Sequence, residues 1–162
     1  MPKIIKNNAV VDDNWGVLAK DSSISDVPAS GNFFVPLTTW LENKSALLAR
    51  GDFGVWLDCD QPANDLEQDV ESLKHVAINF PVFSDGRGYS YAEVLRRFGY
   101  SGELRAIGDV LKDQLYFYKR VGFDSYALRE DLNIEEAVAH LNDFSDAYQV
   151  SNSLQEPVFL RR

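Results

Sequence analysis

The residues best equipped for chemistry lie in one glycine-rich turn, Ser84-Asp-Gly-Arg-Gly-Tyr-Ser90, directly after the apolar run Val76–Phe80. Asp85 brings a carboxylate, and Arg87 brings a guanidinium suited to a two-point hold on a carboxylate, sulfate or phosphate. Gly86 and Gly88 let the backbone come close to a ligand. Ser90 with Glu93 reads as a capping box that starts a helix, whose unpaired N–H groups and dipole favour an anion. A second group, Arg105-Ala-Ile-Gly-Asp-Val-Leu-Lys-Asp-Gln114, puts Arg105 inside an apolar strand. A charge there is costly unless paired, and Asp85, Asp109 and Asp113 are the expected partners, with Gln114 beside them. The candidate ligand-binding set is therefore Asp85, Gly86, Arg87, Gly88, Tyr89, Ser90, Arg105, Asp109, Asp113 and Gln114. Its chemistry would be anion capture, with an aspartate moving a proton. Plain structural readings stand beside this one: Asp-Gly is a common turn, Ser90 and Asp109 suit helix caps, and Tyr89 or Tyr91 can simply pack.

Strands and helices must bring these groups together. Asn7-Asn8, between Ile4-Ile5 and Ala9-Val10-Val11, marks a tight hairpin in a small N-terminal β-element. Residues 20–32 are polar and punctuated by Pro and Gly, and read as a loop. A capping box at Thr39 and Glu42 opens a helix, and Gly54–Leu57 is a strand. Asn64 and Glu67 cap a second helix through Leu66, Val70 and Leu73, and Val76–Phe80 is the next strand. The helix after Ser90 carries Tyr91, Val94, Leu95 and Phe98 on one face. Leu104–Ile107 is a strand, followed by a helix through Leu111, Leu115 and Tyr118. Ser125–Arg129 is the last strand, and Asn133 with Glu136 caps the last helix.

Four consecutive strand–helix units about 25 residues apart point to α/β architecture with a mostly parallel sheet, helices covering both faces. Periodicity leaves open whether the sheet is doubly wound or part of a β/α barrel. Either way, the strand C-terminal ends gather four loops, Asp58–Asn64, Pro81–Ser90, Gly108–Asp113 and Glu130–Asn133, where α/β sheets bind ligands. The division expected is an N-terminal element and loop over 1–32, an α/β domain over 33–150, and a tail over 151–162.

Composition narrows the function. The chain has 162 residues, 45% of them hydrophobic, and a formal net charge of −9. That charge argues against nucleic acid or an anionic membrane as partner, since both call for basic patches. A single cysteine, Cys59, excludes an internal disulfide and fits the reducing cytosol. No signal-like or membrane-spanning apolar run occurs, so a cytoplasmic location is expected. Flanking carboxylates disfavour a Cys59 thiolate. His75 and His140, each expected on a helix or its end, form no metal or base pairing, and the cofactor remains unknown: no flavin, nicotinamide, haem or metal fingerprint is present.

The segments Phe80–Ala92, Gly102–Gln114, Gly122-Phe-Asp124 and Phe144–Gln149 resemble the bacterial family labelled domain of unknown function 934, over roughly residues 35–150. The opening through Trp15 is also similar to the family's start. Members of that family are named as oxidoreductases of sulfite reduction because their genes adjoin sulfite reductase. The resemblance thus implies a place in sulfate assimilation and a sulfite reductase partner. It carries over no catalytic residue. Two functions follow as expectations: an accessory protein acting with sulfite reductase, or an enzyme or sensor for a small anionic ligand, a sulfated or phosphorylated metabolite, held by Arg87, Arg105 and a helix N-terminus.

Overall fold

Asn7 and Asn8 take positive φ, 50° and 63°, and fold β1 (Lys3–Lys6) antiparallel onto β2 (Ala9–Asp12), as the asparagine pair suggests. The computed structural model describes residues 2–161. After the hairpin come β3 (Trp15–Val17), β4 (Asn32–Pro36), α1 (Leu37–Arg50), β5 (Phe53–Leu57), β6 (His75–Phe80) and α2 (Arg87–Arg97). Then follow β7 (Glu103–Gly108), α3 (Leu115–Val121), β8 (Ser125–Tyr126) and α4 (Ile134–Ala137). All eight strands form one sheet in the order β2-β1-β8-β7-β6-β5-β4-β3.

The architecture is α/β, but the sheet is mixed, and the expectation of a mostly parallel one is corrected. Parallel pairing runs from β3 to β8 and gives way to antiparallel pairing at β1 and β2. From β3 to β8 the spatial order follows the chain order, so each crossover advances one strand in the same direction. Crossovers of one hand then place every helix on the same face. Helices do not cover both faces, and there is no reversal of strand order to create the crevice of a doubly wound sheet.

The helical face buries one large cluster, in which Val35, Val55, Leu57, Ile78, Phe80, Leu104, Ala106 and Tyr126 meet Trp40, Leu47, Leu95, Leu115, Tyr118 and Leu141. The opposite face is covered by the sheet itself. Between β2 and β3, which lie at opposite edges, only Asp13 and Asn14 intervene. Eight flat strands would set those edges about 34 Å apart. The three peptide units from Asp12 to Trp15 reach at most about 11 Å. The sheet must therefore curl into a half-barrel, and its inner face packs Phe34, Trp56, Ala77 and Ile107 with Trp15 and Ala127.

Arg105 sits inside that curl, 2% exposed. Its expected partners are also corrected. None of Asp85, Asp109 or Asp113 reaches it. Its Nε and Nη2 donate to Glu103 Oε1 at 3.0 and 2.8 Å, and its Nη1 donates to Asp13 Oδ1 at 2.9 Å. Phe34 and Trp15 flank the guanidinium, with ring centroids 5.0 and 5.9 Å away. Glu103 also accepts from Lys6 Nζ at 2.6 Å and lies 3.3 Å from His75 Nδ1. His75 opens β6 and is not on a helix. Burial would raise the Glu103 carboxyl, but His75, Lys6 and Arg105 together hold it well below the usual carboxylate range.

Three local expectations also give way. Residues 63–73 form a 3-10 turn and further i→i+3 turns, with Asp65, Glu67, Asp69 and Ser72 N–H groups bonding three residues back. Asn and Asp are weak helix formers that favour such turns, while Leu66, Val70 and Leu73 still reach the core. Pro36 stands at the N-cap of α1, and Thr39 donates to the Ser22 carbonyl in place of capping. The last strand ends at Tyr126, and α4 shortens to one turn followed by a 3-10 segment, although Asn133 caps it as expected, accepting from Glu135 N at 3.1 Å.

Replacing Arg105 strands two carboxylates in the curl, so Arg105→Ala should cost roughly 3–5 kcal/mol of stability in urea unfolding. Because the Glu103 carboxyl is depressed in the folded state, its contribution is complete above the ordinary carboxylate range and fades as pH falls below it. Glu103→Gln should flatten that part of the acid dependence, read as the change of unfolding midpoint with pH.

Candidate functional site

The four expected loops do meet at the C-terminal rim of β5, β6, β7 and β8, and hydrogen bonds tie three of them together. The loop after β6 is held through one residue. Phe83 N donates to Asp109 Oδ2 at 2.9 Å, and Phe83 O accepts from Gln114 Nε2 at 3.0 Å. Asp109 Oδ1 accepts from Arg129 Nη1 at 3.0 Å, and Arg129 forks onto Asp131 at 2.6 and 3.0 Å. Asp109 is thus a clasp between loops and not a helix cap. The loop it holds exposes Val82 and Phe83, at 51% and 49%.

Asp85 and Arg87 pair with each other. Arg87 Nε donates to Asp85 Oδ1 at 3.0 Å, Nη2 to Oδ2 at 2.6 Å, and the Arg87 backbone N to Oδ1 at 3.1 Å. These bonds hold the Asp85 carboxyl down at about 2. The helix starts at Arg87 itself, with Gly86 at the N-cap and no side-chain cap; Ser90 lies inside its first turn. The expected capping box at Ser90 is corrected: the Asp85 carboxylate already bonds the first helical N–H and satisfies the role Ser90 was assigned.

The glycines have a packing reason. A Cβ on Gly88 would stand 2.5 Å from Phe80 Cζ and 3.0 Å from Ile78 Cγ2, so this glycine lets α2 sit directly on β6. Gly86 has open space around it and an ordinary φ of −80°. Tyr89 stacks on Tyr118, with centroids 4.9 Å apart and planes 3° from parallel, and its edge meets Phe80. Burial pushes its hydroxyl up, so it is a packing residue. Asp113 is exposed and has no hydrogen bond among the described residues.

Sequence reading missed a neighbouring cluster on the loop after β5. Asp58 Oδ1 accepts from Asn79 Nδ2 at 3.0 Å, and Lys20 Nζ bridges Asp58 and Asp60, 2.8 Å from each. Tyr91 donates to the Cys59 carbonyl at 2.8 Å. Burial, with Asp58 next, pushes the Cys59 thiol up against the pull of Arg87, which keeps it protonated. Lys20 comes from the long polar loop, and no local spacing marks it as a partner of residues 38 and 40 positions away. Beside Arg129 a groove of about 420 Å³ opens between β1 and the loop after β8, lined by Pro2, Ile4, Asp13, Leu128 and Ile134 among others.

The site has one electrostatic character. Lys20, Arg87 and Arg129 are bonded to carboxylates, Lys112 has no ion pair among the described residues, and Asp58, Asp60, Asp85, Asp109, Asp113 and Asp131 outnumber these four cations. Among the described residues no cluster of His, Cys, Asp or Glu could hold a metal ion, and no helix is long and apolar enough to cross a membrane. The rim can offer an acidic, partly apolar surface to another molecule. Both of its guanidinium groups, Arg87 and Arg129, are engaged by carboxylates.

Fold and rim together define an α/β protein with a curled sheet and an ion-paired, acidic loop face. The chain belongs to the family described as bacterial protein of unknown function (DUF934), whose model matches residues 54–159. Comparison with curated proteins and with solved structures gives no match.

Two substitutions separate packing from ligand approach at the glycines. Gly88→Ala should destabilise by roughly 1–3 kcal/mol through overpacking on Phe80. Gly86→Ala, with nothing nearby, should leave the thermal midpoint almost unchanged. An NMR titration of the Asp85 carboxyl carbon should show its midpoint at about 2, and Arg87→Ala should return it to the ordinary aspartate range.

Proposed function

We propose that this protein is an accessory protein of assimilatory sulfite reduction that docks on sulfite reductase through its acidic strand-end rim. The observation that carries the reading is the loop held at Phe83: both its backbone N and O are bonded to side chains of another loop, and Val82 and Phe83 face solvent. Fixing a loop while leaving its large apolar side chains exposed suits a surface preformed for a protein partner, because little ordering cost remains at binding. Surrounding carboxylates steer a basic partner and suppress acidic ones. The partner itself is taken from the family resemblance and its link to sulfite reductase.

The alternative, a small-anion enzyme or sensor, fits this rim less well. Arg87 already holds Asp85, and Arg105 is enclosed in the curl with Glu103 and Asp13. An anion would have to displace a carboxylate from Arg87 and would meet the remaining ones as like charges.

The reading is tested by deletion and complementation. A deletion strain should fail on sulfate and on sulfite and grow on sulfide or cysteine. Wild type should restore growth, and Phe83→Asp, an exposed and foldable change, should not. Purified protein should bind sulfite reductase at low salt and lose affinity as salt rises. Growth of the deletion strain on all four sulfur sources, or absence of binding at any salt, would overturn the proposal.

A further inference from the structure

The groove beside Arg129 exists because two strands part. In an antiparallel ladder, bonded pairs recur at every second residue. Asn7 N donates to Asp124 O at 3.1 Å and Ile5 lies opposite Tyr126, so Lys3 and Leu128 stand next in register. No backbone bond joins them, and Leu128 N has no hydrogen bond among the described residues. The start of β1 is held on its other side, where Asp13 N donates to Pro2 O at 2.9 Å. The chain after β8 is held toward the loop after β7, where Arg129 N donates to Val110 O at 3.1 Å. The opening left between them holds about 420 Å³, inside the roughly 300–1,000 Å³ of small-molecule sites. Ile4, Ala127, Leu128, Leu132 and Ile134 give it apolar walls.

The polar groups that line the groove decide what fits it. Both of its cations are engaged, Lys3 Nζ by Glu135 at 2.9 Å and Arg129 by Asp109 and Asp131. Its carboxylates are not fully used. Asp13 Oδ1 accepts from Arg105 and from Trp15 N, but Oδ2 has no hydrogen bond among the described residues and is not sealed from solvent. Glu130 is exposed and has no hydrogen bond among the described residues either. Because Arg105 fixes Asp13 through one oxygen, the other is held in place at little further ordering cost. An anion would have to displace Glu135, Asp109 or Asp131 and would meet Asp13 and Glu130 as like charges. A neutral apolar molecule would leave both carboxylates without a donor. We infer that this groove binds a small organic cation, a primary amine on an apolar body, with its ammonium directed at the carboxylates of Asp13 and Glu130 and its body against Ile4, Leu128 and Ile134.

An amide NMR titration of the full chain with benzylamine, benzyl alcohol and benzoate tests this. Benzylamine should shift the amides of Ala127, Leu128 and Ile134 and reach saturation. Benzyl alcohol, which lacks the charge-assisted bonds, should bind roughly tenfold or more weakly, and benzoate should leave those amides unmoved. Leu132→Trp fills the groove from a half-buried position and should abolish the benzylamine shifts while the amides of β5 and β6 keep their places. Glu130→Gln, at an exposed position that holds nothing else, should weaken benzylamine binding several-fold. Asp13 also carries Arg105, so these two variants decide the matter without disturbing the curl. Absence of saturable shifts in the groove would overturn the inference. So would benzoate binding as tightly as benzylamine, or benzylamine shifts that survive Leu132→Trp.

Discussion

The interaction on which the rest of the structure depends is the one between Arg105 and the crossing at Asp13. The chain passes from one edge of the sheet to the other in two residues. That passage sets the curvature, and it needs a bond between the crossing and the strands beneath it. Asp13 supplies the bond by accepting from Arg105 and from Trp15 N, while its own backbone N donates to Pro2 O. Glu103 holds the other side of the guanidinium, and Phe34 and Trp15 exclude water from it. A buried charge pair is poor evidence for stability as such. Here its geometric effect is plain, since it ties a strand of the sheet's middle to the segment that joins the two edges.

Curvature determines what the rim can be. Helices cover only the outer face, and aromatic and ionic side chains fill the inner one, so the strand ends carry no deep crevice of the doubly wound kind. What remains is a ring of loops whose charged groups bond to one another, within a loop for Asp85 and Arg87 and between loops for Asp109 with Arg129 and Asp58 with Lys20. A guanidinium that serves a neighbouring carboxylate is not free for a substrate. The same bonds that engage the rim's guanidinium groups also restrain its loops, which lowers the ordering cost of any contact made there.

The sequence revealed as much as local physics can encode. The Asn7-Asn8 hairpin, the apolar runs of β5, β6 and β7, and the Asn133 cap all depend on residues a few positions apart, and these readings hold. The capping box at Ser90 was also a local pattern, but Asp85 reaches the first helical N–H from the other side and the helix begins at Arg87. Where partners lie far apart in the chain, local pattern is silent. Arg105 finds Asp13 across 92 positions, and Lys6 finds Glu103 across 97. Charge cost alone shows that Arg105 needs a carboxylate; only the curl of the sheet selects which. Gly88 illustrates a similar limit: glycine beside a suspected ligand loop suggests close backbone approach, and the approach is real, but it is α2 meeting Phe80.

The uneven placement of charge follows from these constraints. A chain at −9 must put its excess carboxylates somewhere, and the inner face accepts only those matched by Arg105, Lys6 or His75. The loops at the strand ends take part of the surplus, because solvent there tolerates unmatched aspartates such as Asp113. The α3 and C-terminal face instead leaves large aromatic side chains exposed, Phe117, Phe144, Tyr148 and Phe159 among them. Unmatched carboxylates exert long-range repulsion and steering that salt screens, whereas apolar contact is short-ranged. One small domain thereby presents two faces that answer to different physics. That opposition follows from where the carboxylates are, whatever molecule each face meets.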